Sequence, residues 1–186
     1  FYAVYARRVL RAPEDMVGTY VIALTVATMV ANLVLGQIGD RRGNRLLVRL
    51  AAMTAMLPAL TALFVVRLAG TWVEPMVLYG AVFVFQAVHT TASVLGTSNY
   101  LLELSNSIER VLYIGLTAGI VGLTWFTLPL GGVIVDSFGF DVLFKVSLVA
   151  GLVATVLSFT LEEPRRRAIA LVGGMVSSTP APGGER

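Results

Sequence analysis

Long runs without a charged residue are the feature that most constrains this chain. Five such runs that are also mainly apolar lie at residues 16–39, 50–66, 75–102, 111–135 and 146–161. As an α-helix, the first run of 24 residues would rise about 36 Å, more than the roughly 30 Å hydrocarbon core of a bilayer. A soluble domain has about 25% charged residues, whereas this chain has 13%. The sequence therefore predicts an integral membrane protein.

The spans are expected to be helices, because only α-helices and closed barrels satisfy their backbone inside a bilayer and no barrel-like alternation is present. FYAVYA at the start has the composition of a sixth span that is cut short. Pro58 predicts a kink in the second span. We therefore predict an all-α transmembrane bundle over residues 1–163, with five complete helices and one truncated helix. A disordered cytoplasmic tail is expected over residues 164–186.

Composition also excludes several kinds of site. The chain has no cysteine, which excludes disulfides, thiolate metal sites and cysteine nucleophiles. His89 is the only histidine, so a histidine-cluster metal site is excluded as well. The net charge of +3 does not indicate nucleic-acid binding, because the arginines cluster between apolar runs, as membrane topology signals do. We predict neither a cofactor nor a metal.

The distribution of basic residues predicts the orientation in the membrane. One side collects nine Arg and Lys residues and the other collects five. Cytoplasmic loops usually carry the excess of such residues. The side with nine is therefore expected to face the cytoplasm, and the membrane is expected to be a plasma or inner membrane. Arg7, Arg8 and Arg11 lie on the other side and reduce the margin. The C-terminal tail would be cytoplasmic.

The connection between the first two full spans is the most distinctive sequence in the chain. Residues 36–45, which we name the motif segment, read GQIGDRRGNR and follow the pattern G-x-x-x-D-R-x-G-x-R. This pattern resembles the signature loop of the major facilitator superfamily, which joins the second and third helices and recurs between the eighth and ninth. A basic stop-transfer loop is the alternative, although arginines alone would need neither the first glycine nor the aspartate.

Each residue type in the motif segment has a physical use. Gly36 would let another helix approach closely, and Gly43 would permit the positive φ of a tight connection. Asp40 can accept from the N–H groups that begin a neighbouring helix, where the helix dipole favours an anion. Arg41 and Arg45 can pair with that carboxylate and with lipid phosphates. The motif segment is therefore predicted to act as a conformational latch.

A second copy of the spacing occurs further along the chain. Gly132, Asp136 and Gly139 repeat the glycine–aspartate–glycine spacing of the motif segment at an offset of 96 residues. Three helices separate the two copies, so the second is expected on the opposite membrane face, as in inverted three-helix repeats. Ser137 and Asp141 replace the two arginines, which fits the positive-inside rule if that face is outside.

The resemblance covers residues 1 to about 163 and implies the seventh to twelfth helices of a twelve-helix fold. It implies a secondary active transporter that moves a small molecule by alternating access, with an absent N-terminal six-helix half and membrane lipids as partners. The N-terminal half lacking its first helix is the alternative register. No Asp or Glu lies within a span core, so proton coupling would use His89 or the other half, or be absent.

Two other classes remain as alternatives to a transporter. A non-transporting scaffold or sensor of the same fold is one. A membrane-embedded enzyme is the other, and it would need a nucleophile, paired carboxylates or metal ligands. Glu103 and Glu109 are expected in a loop beside Ser105 and Ser107, without a nearby histidine.

Polar residues within spans tend to face the bundle interior or water. In the third full span they recur at helical spacing, and the resemblance places that span, as the tenth helix of the family, beside the central cavity. A shorter stripe lies in the first full span. The predicted cavity-lining residues are Gln86, His89, Thr90, Ser93, Thr25, Thr28 and Asn32, and Tyr79 and Thr97 extend the stripe. Bonding of Ser and Thr back to their own helix, and helix-to-helix bonds by Asn and Gln, are the alternative.

A stripe of small residues lies in the fourth full span. Gly115, Gly119 and Gly122 follow small-x-x-x-small spacing together with Ala118, which permits two helices to cross closely. The resemblance implies that this helix, the eleventh of the family, packs against the other half of the transporter. We therefore predict a helix-packing seam at these glycines.

Overall fold

The computed structural model describes residues 1–67, 74–104 and 110–161, and the predicted disordered tail at 164–186 lies outside them. The described residues are almost entirely helical. The helices are α1 (Tyr2–Arg8), α2 (Glu14–Arg42), α3 (Asn44–Thr54), α4 (Met56–Arg67), α5 (Pro75–Leu104), α6 (Arg110–Trp125) and α7 (Leu128–Ser158).

Within these ranges, four helical stretches are long and apolar enough to cross a membrane. They are Glu14–Arg42, Asn44–Val65, Pro75–Glu103 and Arg110–Ser158. The predicted fourth and fifth spans thus fall in one stretch of 49 residues, and the predicted count of five complete helices and one truncated helix is not confirmed. The predicted class, an all-helical membrane protein, is confirmed.

Two prolines coincide with breaks between helices. The second span divides into α3 and α4 at Ala55, three residues before Pro58, where the sequence predicts a kink. The stretch after Arg110 divides at residues 126–127, just before Pro129. Each proline lacks the N–H that would bond to the carbonyl four residues earlier, and its ring clashes with that carbonyl. The second break is one that the sequence reasoning overlooked.

Helix α5 lies at the centre of the bundle and packs against α2, α3 and α4. Two buried clusters fill the contacts, one near the start of α5 and one around its middle. The cluster near the motif segment consists of Ala31, Leu35, Leu47, Ala51 and Ala92. By contrast, α6 buries none of its side chains within the described chain.

The second cluster is rich in aromatic rings and holds α1 in place. Tyr5 of α1 lies 5.6 Å from Tyr79 of α5 and 5.2 Å from Phe144 of α7, measured between ring centroids. The Tyr79 hydroxyl donates to the backbone carbonyl of Tyr2 in α1 over 2.9 Å, and the Tyr20 hydroxyl of α2 donates to a backbone carbonyl of α5 over 2.7 Å. The seven residues of α1 therefore belong to the packed bundle.

At the other end of the bundle, Arg49 of α3 binds the end of α7. Its guanidinium donates to the carbonyls of Ser158 and Phe159 over 3.3 Å each and lies 5.0 Å from the centroid of the Phe159 ring. The last carbonyls of a helix have no partner within it, and a cation stabilises them through the helix dipole. Arg49 therefore joins the helix that follows the motif segment to the end of the bundle's last helix.

Candidate functional site

The motif segment is an abrupt bend rather than a loop. Residues 36–42 are the last two turns of α2, and Asn44 already begins α3. Only Gly43 is non-helical, with φ 88° and ψ 155°, which is a region that side chains rarely allow. Its N–H donates to the carbonyl of Gly39 over 2.9 Å. The positive φ expected at Gly43 is therefore present, and it compresses the expected loop into one residue.

The close approach inside the motif segment occurs at Gly39 rather than Gly36. A Cβ added to Gly39 would lie 2.8 Å from Cδ1 of Leu47 and 3.1 Å from Oδ1 of Asn44. A Cβ added to Gly36 would meet no atom of the described residues within 4 Å. The packing role predicted for Gly36 therefore stays a prediction about a neighbour outside these residues.

A buried amide connects the motif segment to α5. Asn44 is buried, and its Nδ2 donates to Oε1 of Glu103 over 2.9 Å. The expectation that Glu103 lies in a loop is wrong, because α5 continues to Leu104 and carries Glu103 in its last turn. Glu109 and its neighbouring serines lie outside the described residues. Sequence reasoning missed this contact since its partners are 59 residues apart. An asparagine directly after Gly43 was the only local signal in the sequence.

The charged residues of the motif segment do not pair with one another. Asp40 and Arg41 are exposed, and Arg45 is half-buried. In the part of the chain that the structure describes, no ion pair joins Asp40 to Arg41 or Arg45. The pairing expected between Asp40 and the arginines is therefore not formed in this conformation. The carboxylate of Asp40 remains open to a group from elsewhere.

The polar stripe of α2 bonds back to its own helix. The hydroxyls of Thr25 and Thr28 donate to the carbonyls of Val21 and Leu24 over 2.9 Å and 2.7 Å. Nδ2 of Asn32 donates to the carbonyl of Thr28 over 2.8 Å. These bonds satisfy the polar side chains locally. They leave the cavity-lining role of the stripe a prediction.

The polar residues of α5 divide into two sets. Nε2 of Gln86 lies 3.4 Å from the hydroxyl of Thr90, on an exposed part of the helix. His89 points instead toward α3, where its Nδ1 lies 2.9 Å from the carbonyl of Ala51. A carbonyl oxygen can only accept, so Nδ1 of His89 carries the hydrogen in this contact. Gln86 and His89 therefore contact different partners, and the cavity-lining role predicted for both stays a prediction.

Two clefts flank the C-terminal part of the polar stripe of α5. A cleft of about 350 Å³ between α3, α5 and the end of α7 is lined by His89, Ser93 and Thr97. A second cleft of about 430 Å³ between α5 and α6 is lined by Ser93, Thr97 and Thr117. Both volumes lie in the range of small-molecule sites. The structure thus brings Ser93 and Thr97 to both clefts and His89 to one, whereas Gln86 and Thr90 line neither.

The glycines predicted to form a packing seam face open space. A Cβ added to Gly115, Gly119 or Gly122 would meet no described atom within 4 Å. The predicted seam therefore has no partner in the described chain, and its role stays a prediction.

Other glycines, which sequence reasoning passed over, carry the close contacts. A Cβ at Gly96 would lie 2.8 Å from the backbone nitrogen of Val48, and a Cβ at Gly151 would lie 2.6 Å from Cγ of Met56. Gly96 lies where α5 meets α3, and Gly151 lies where α7 meets α4. Small residues at such positions let helix backbones approach each other. Their spacing to other small residues was the sequence signal.

The second copy of the motif spacing forms a matching bend. Gly139 has φ 84° and ψ 172° and interrupts α7. The ring of Phe140, the next residue, lies 5.2 Å from the ring of Tyr5 in the aromatic cluster. This cluster includes Tyr20, near the start of α2, whereas Gly43 follows the end of α2. The two bends thus lie at opposite ends of the bundle, and their placement on opposite membrane faces stays a prediction.

Comparison with known proteins gives one match. A family model described as Major Facilitator Superfamily matches residues 1–180. No curated protein and no solved structure matches the chain significantly.

Proposed function

Since this chain belongs to the major facilitator superfamily, we propose that it is part of a secondary active transporter that moves a small molecule by alternating access. The family consists of membrane transporters, and the chain is a multi-pass membrane protein. The observation that carries the proposal is the match over residues 1–180. In alternating access, two halves of the bundle rock about a site near the middle of the membrane.

We propose that residues 1–163 supply the C-terminal six-helix half of this transporter. The stretch Arg110–Ser158 has 49 residues and would rise about 74 Å as one helix, more than twice the hydrocarbon core. The bend at Gly139 supports a division into two passes, which gives five complete helices besides α1. The exposed face of α6, with Gly115, Gly119 and Gly122, would then receive the other half.

The same proposal assigns the orientation. The motif segment and the tail would lie in the cytoplasm, and Gly139 would face the outside of a plasma or inner membrane. A protease site or epitope attached to the C-terminus tests it, because only one face of a sealed right-side-out vesicle is accessible. Cleavage from the outside would contradict this orientation.

Transport itself is tested by flux in proteoliposomes. The intact transporter should give saturable, substrate-dependent uptake that empty liposomes lack. A library of small metabolites supplies the trial substrates. A folded protein that binds a substrate but gives no flux would refute the transporter proposal and favour a sensor of the same fold.

The motif segment would act as a cytoplasmic latch. Its exposed Asp40 has no ion pair with the two arginines, while Asn44 is fixed to Glu103 on α5. The carboxylate can thus accept from the first N–H groups of a helix in the other half when the cytoplasmic side closes. Arg41 and Arg45 would bind lipid phosphates or that other half.

The test of the latch is Asp40→Asn, which removes the charge and keeps the size. We expect the cytoplasm-open state to become more populated and the uptake rate to change. Asp15→Asn is a matched control, because Asp15 is an exposed carboxylate in the first turn of the same helix. Unchanged transport and unchanged cavity accessibility in Asp40→Asn would refute the latch.

We propose that the polar stripes of α2 and α5 border the substrate path. Two small-molecule-sized clefts along Ser93 and Thr97 support this. His89 is the one histidine of the chain, and histidine is a common proton carrier in proteins. His89→Gln keeps a donor for the Ala51 carbonyl but cannot titrate. If the pH dependence of uptake is the same in His89→Gln as in wild type, His89 does not couple protons.

A further inference from the structure

The bends at Gly43 and Gly139 have nearly the same backbone conformation. Their φ angles are 88° and 84° and their ψ angles are 155° and 172°. Both glycines are followed at once by a new helical segment, and they are the two positive-φ glycines among the described residues. A Cβ added to Gly36 or Gly132, seven residues before each bend, would meet no atom of the described residues within 4 Å. The repeated spacing in the sequence is therefore also a repeated structure.

An aspartate occupies the same place in each bend. Asp40 and Asp136 are both exposed and lie three residues before the positive-φ glycine, in the last turn of a helical segment. A carboxylate in the last turn of a helix is disfavoured by the negative end of the helix dipole. Neither residue therefore gains stability from its own helix. Both can gain it from the positive end of another helix.

Asp136 differs from the other acidic residue near the Gly139 bend in its charged neighbours. Asp141, the other acidic residue beside the Gly139 bend, forms an ion pair with Lys145 one turn along the same helix. In the described ranges, Asp136 takes part in no ion pair, and Ser137, Phe138 and Asp141 stand where the motif segment has its three arginines. Asp136 is thus a carboxylate without a local counter-charge.

We infer that the bend of residues 132–139 is a second latch, which binds the N-terminal end of a helix in the other half when the outer side of the transporter closes. Asp136 would accept from the unpaired N–H groups that begin that helix, where the dipole favours an anion. This inference rests on the proposed function, because it requires two halves that rock. The second latch would stabilise the state that is closed to the outside, and it lies at the end of the bundle opposite the motif segment.

The two latches should act in opposite directions. The charge of one carboxylate at a helix N-terminus changes an equilibrium by about two- to fivefold. Asp136→Asn should therefore raise the ratio of outward-open to inward-open protein by about two- to fivefold, and Asp40→Asn should lower it by a similar factor. Asp136→Glu, which keeps the charge, should stay closer to wild type.

Thiol labelling measures this ratio, because the chain has no cysteine of its own. Gln86→Cys, near the middle of α5, is introduced into the intact transporter with any cysteine of the other half removed. An impermeant maleimide is applied in turn to right-side-out and inside-out vesicles, and the ratio of the two labelling rates is recorded. Asp141→Asn is the matched control, since its carboxylate lies at the same end but is paired with Lys145.

An increased outside-to-inside ratio in Asp136→Asn, with Asp141→Asn unchanged, supports the second latch. If Asp136→Asn leaves the ratio unchanged while Asp40→Asn lowers it, the second latch is refuted. The proposed function is not affected by that result. If neither variant shifts the ratio, both latches are refuted. Elution of each variant at the wild-type position in size-exclusion chromatography excludes misfolding as the cause, and Asp136→Glu provides a second folded variant for the same comparison.

Discussion

Gly96 of α5 is the position where one added methyl group should matter most. A Cβ there would lie 2.8 Å from the backbone nitrogen of Val48 and 3.0 Å from the carbonyl carbon of Leu47. Backbone atoms cannot rotate aside as the end of a side chain can, so α3 and α5 must move apart in Gly96→Ala. The first turn of α3 would move as well, and with it the Asn44 amide that binds Glu103.

Two effects of opposite sign set the size of the change. Forcing an extra carbon into a filled contact costs about 1–3 kcal/mol. Alanine in place of glycine within a helix returns about 0.5–1 kcal/mol. Because the contact involves backbone on both helices, the steric cost should dominate. We expect Gly96→Ala to lower the free energy of unfolding by about 1–2 kcal/mol.

Gly80 provides the matched control on the same helix. Its Cβ would lie 3.7 Å from the Tyr20 ring, an ordinary van der Waals contact, so Gly80→Ala should be neutral or stabilising by about 0.5–1 kcal/mol. Thermal unfolding in detergent, followed by tryptophan fluorescence, compares the two variants with wild type. A Gly96→Ala protein that melts at or above the wild-type temperature would refute the close approach of α3 and α5.

Three further substitutions test separate contacts by the same measurement of unfolding. Asn44→Ala removes the buried donor to Glu103 and should destabilise by about 1.5–3 kcal/mol, the value for a hydrogen bond to a charged group; wild-type stability would argue against this bond. Tyr79→Phe removes the donor to the Tyr2 carbonyl and should cost about 0.5–1.5 kcal/mol, an expectation that an unchanged melting temperature contradicts. Gly43→Ala forces a side chain into φ 88° and should cost about 1–3 kcal/mol; a neutral effect would mean that the bend is not strained.

Much of the fold could be predicted because charges are costly within a bilayer. The uncharged run at 16–39 became α2, Glu14–Arg42, and the run at 75–102 became α5, Pro75–Leu104. Pro58 marked the break between α3 and α4 for a local reason, the missing N–H. Pro129 carries the same signal and could have predicted the break after Trp125.

The candidate site was predicted only where its cause is local. Gly43 could be predicted because a tight bend needs a positive φ. The Asn44–Glu103 bond could not, since its partners come from helices 59 residues apart in sequence. The direction of His89 is equally non-local: spacing put it beside Gln86, but the carbonyl of Ala51 on α3 is what it contacts.

The sequence by itself determined that this chain is a helical membrane protein of the major facilitator superfamily, and where its two bends fall. The effects of hydropathy, of a proline and of a glycine in a tight bend depend on the local segment alone, so the sequence of that segment predicts them. Only the tertiary structure decided which glycines lie at close contacts. A Cβ at Gly96 would meet backbone within 3 Å, whereas a Cβ at Gly119 would meet none of the described atoms within 4 Å, although both are small residues on apolar helices. That difference depends on which helix lies opposite, because packing in a membrane is driven by the fit between two surfaces.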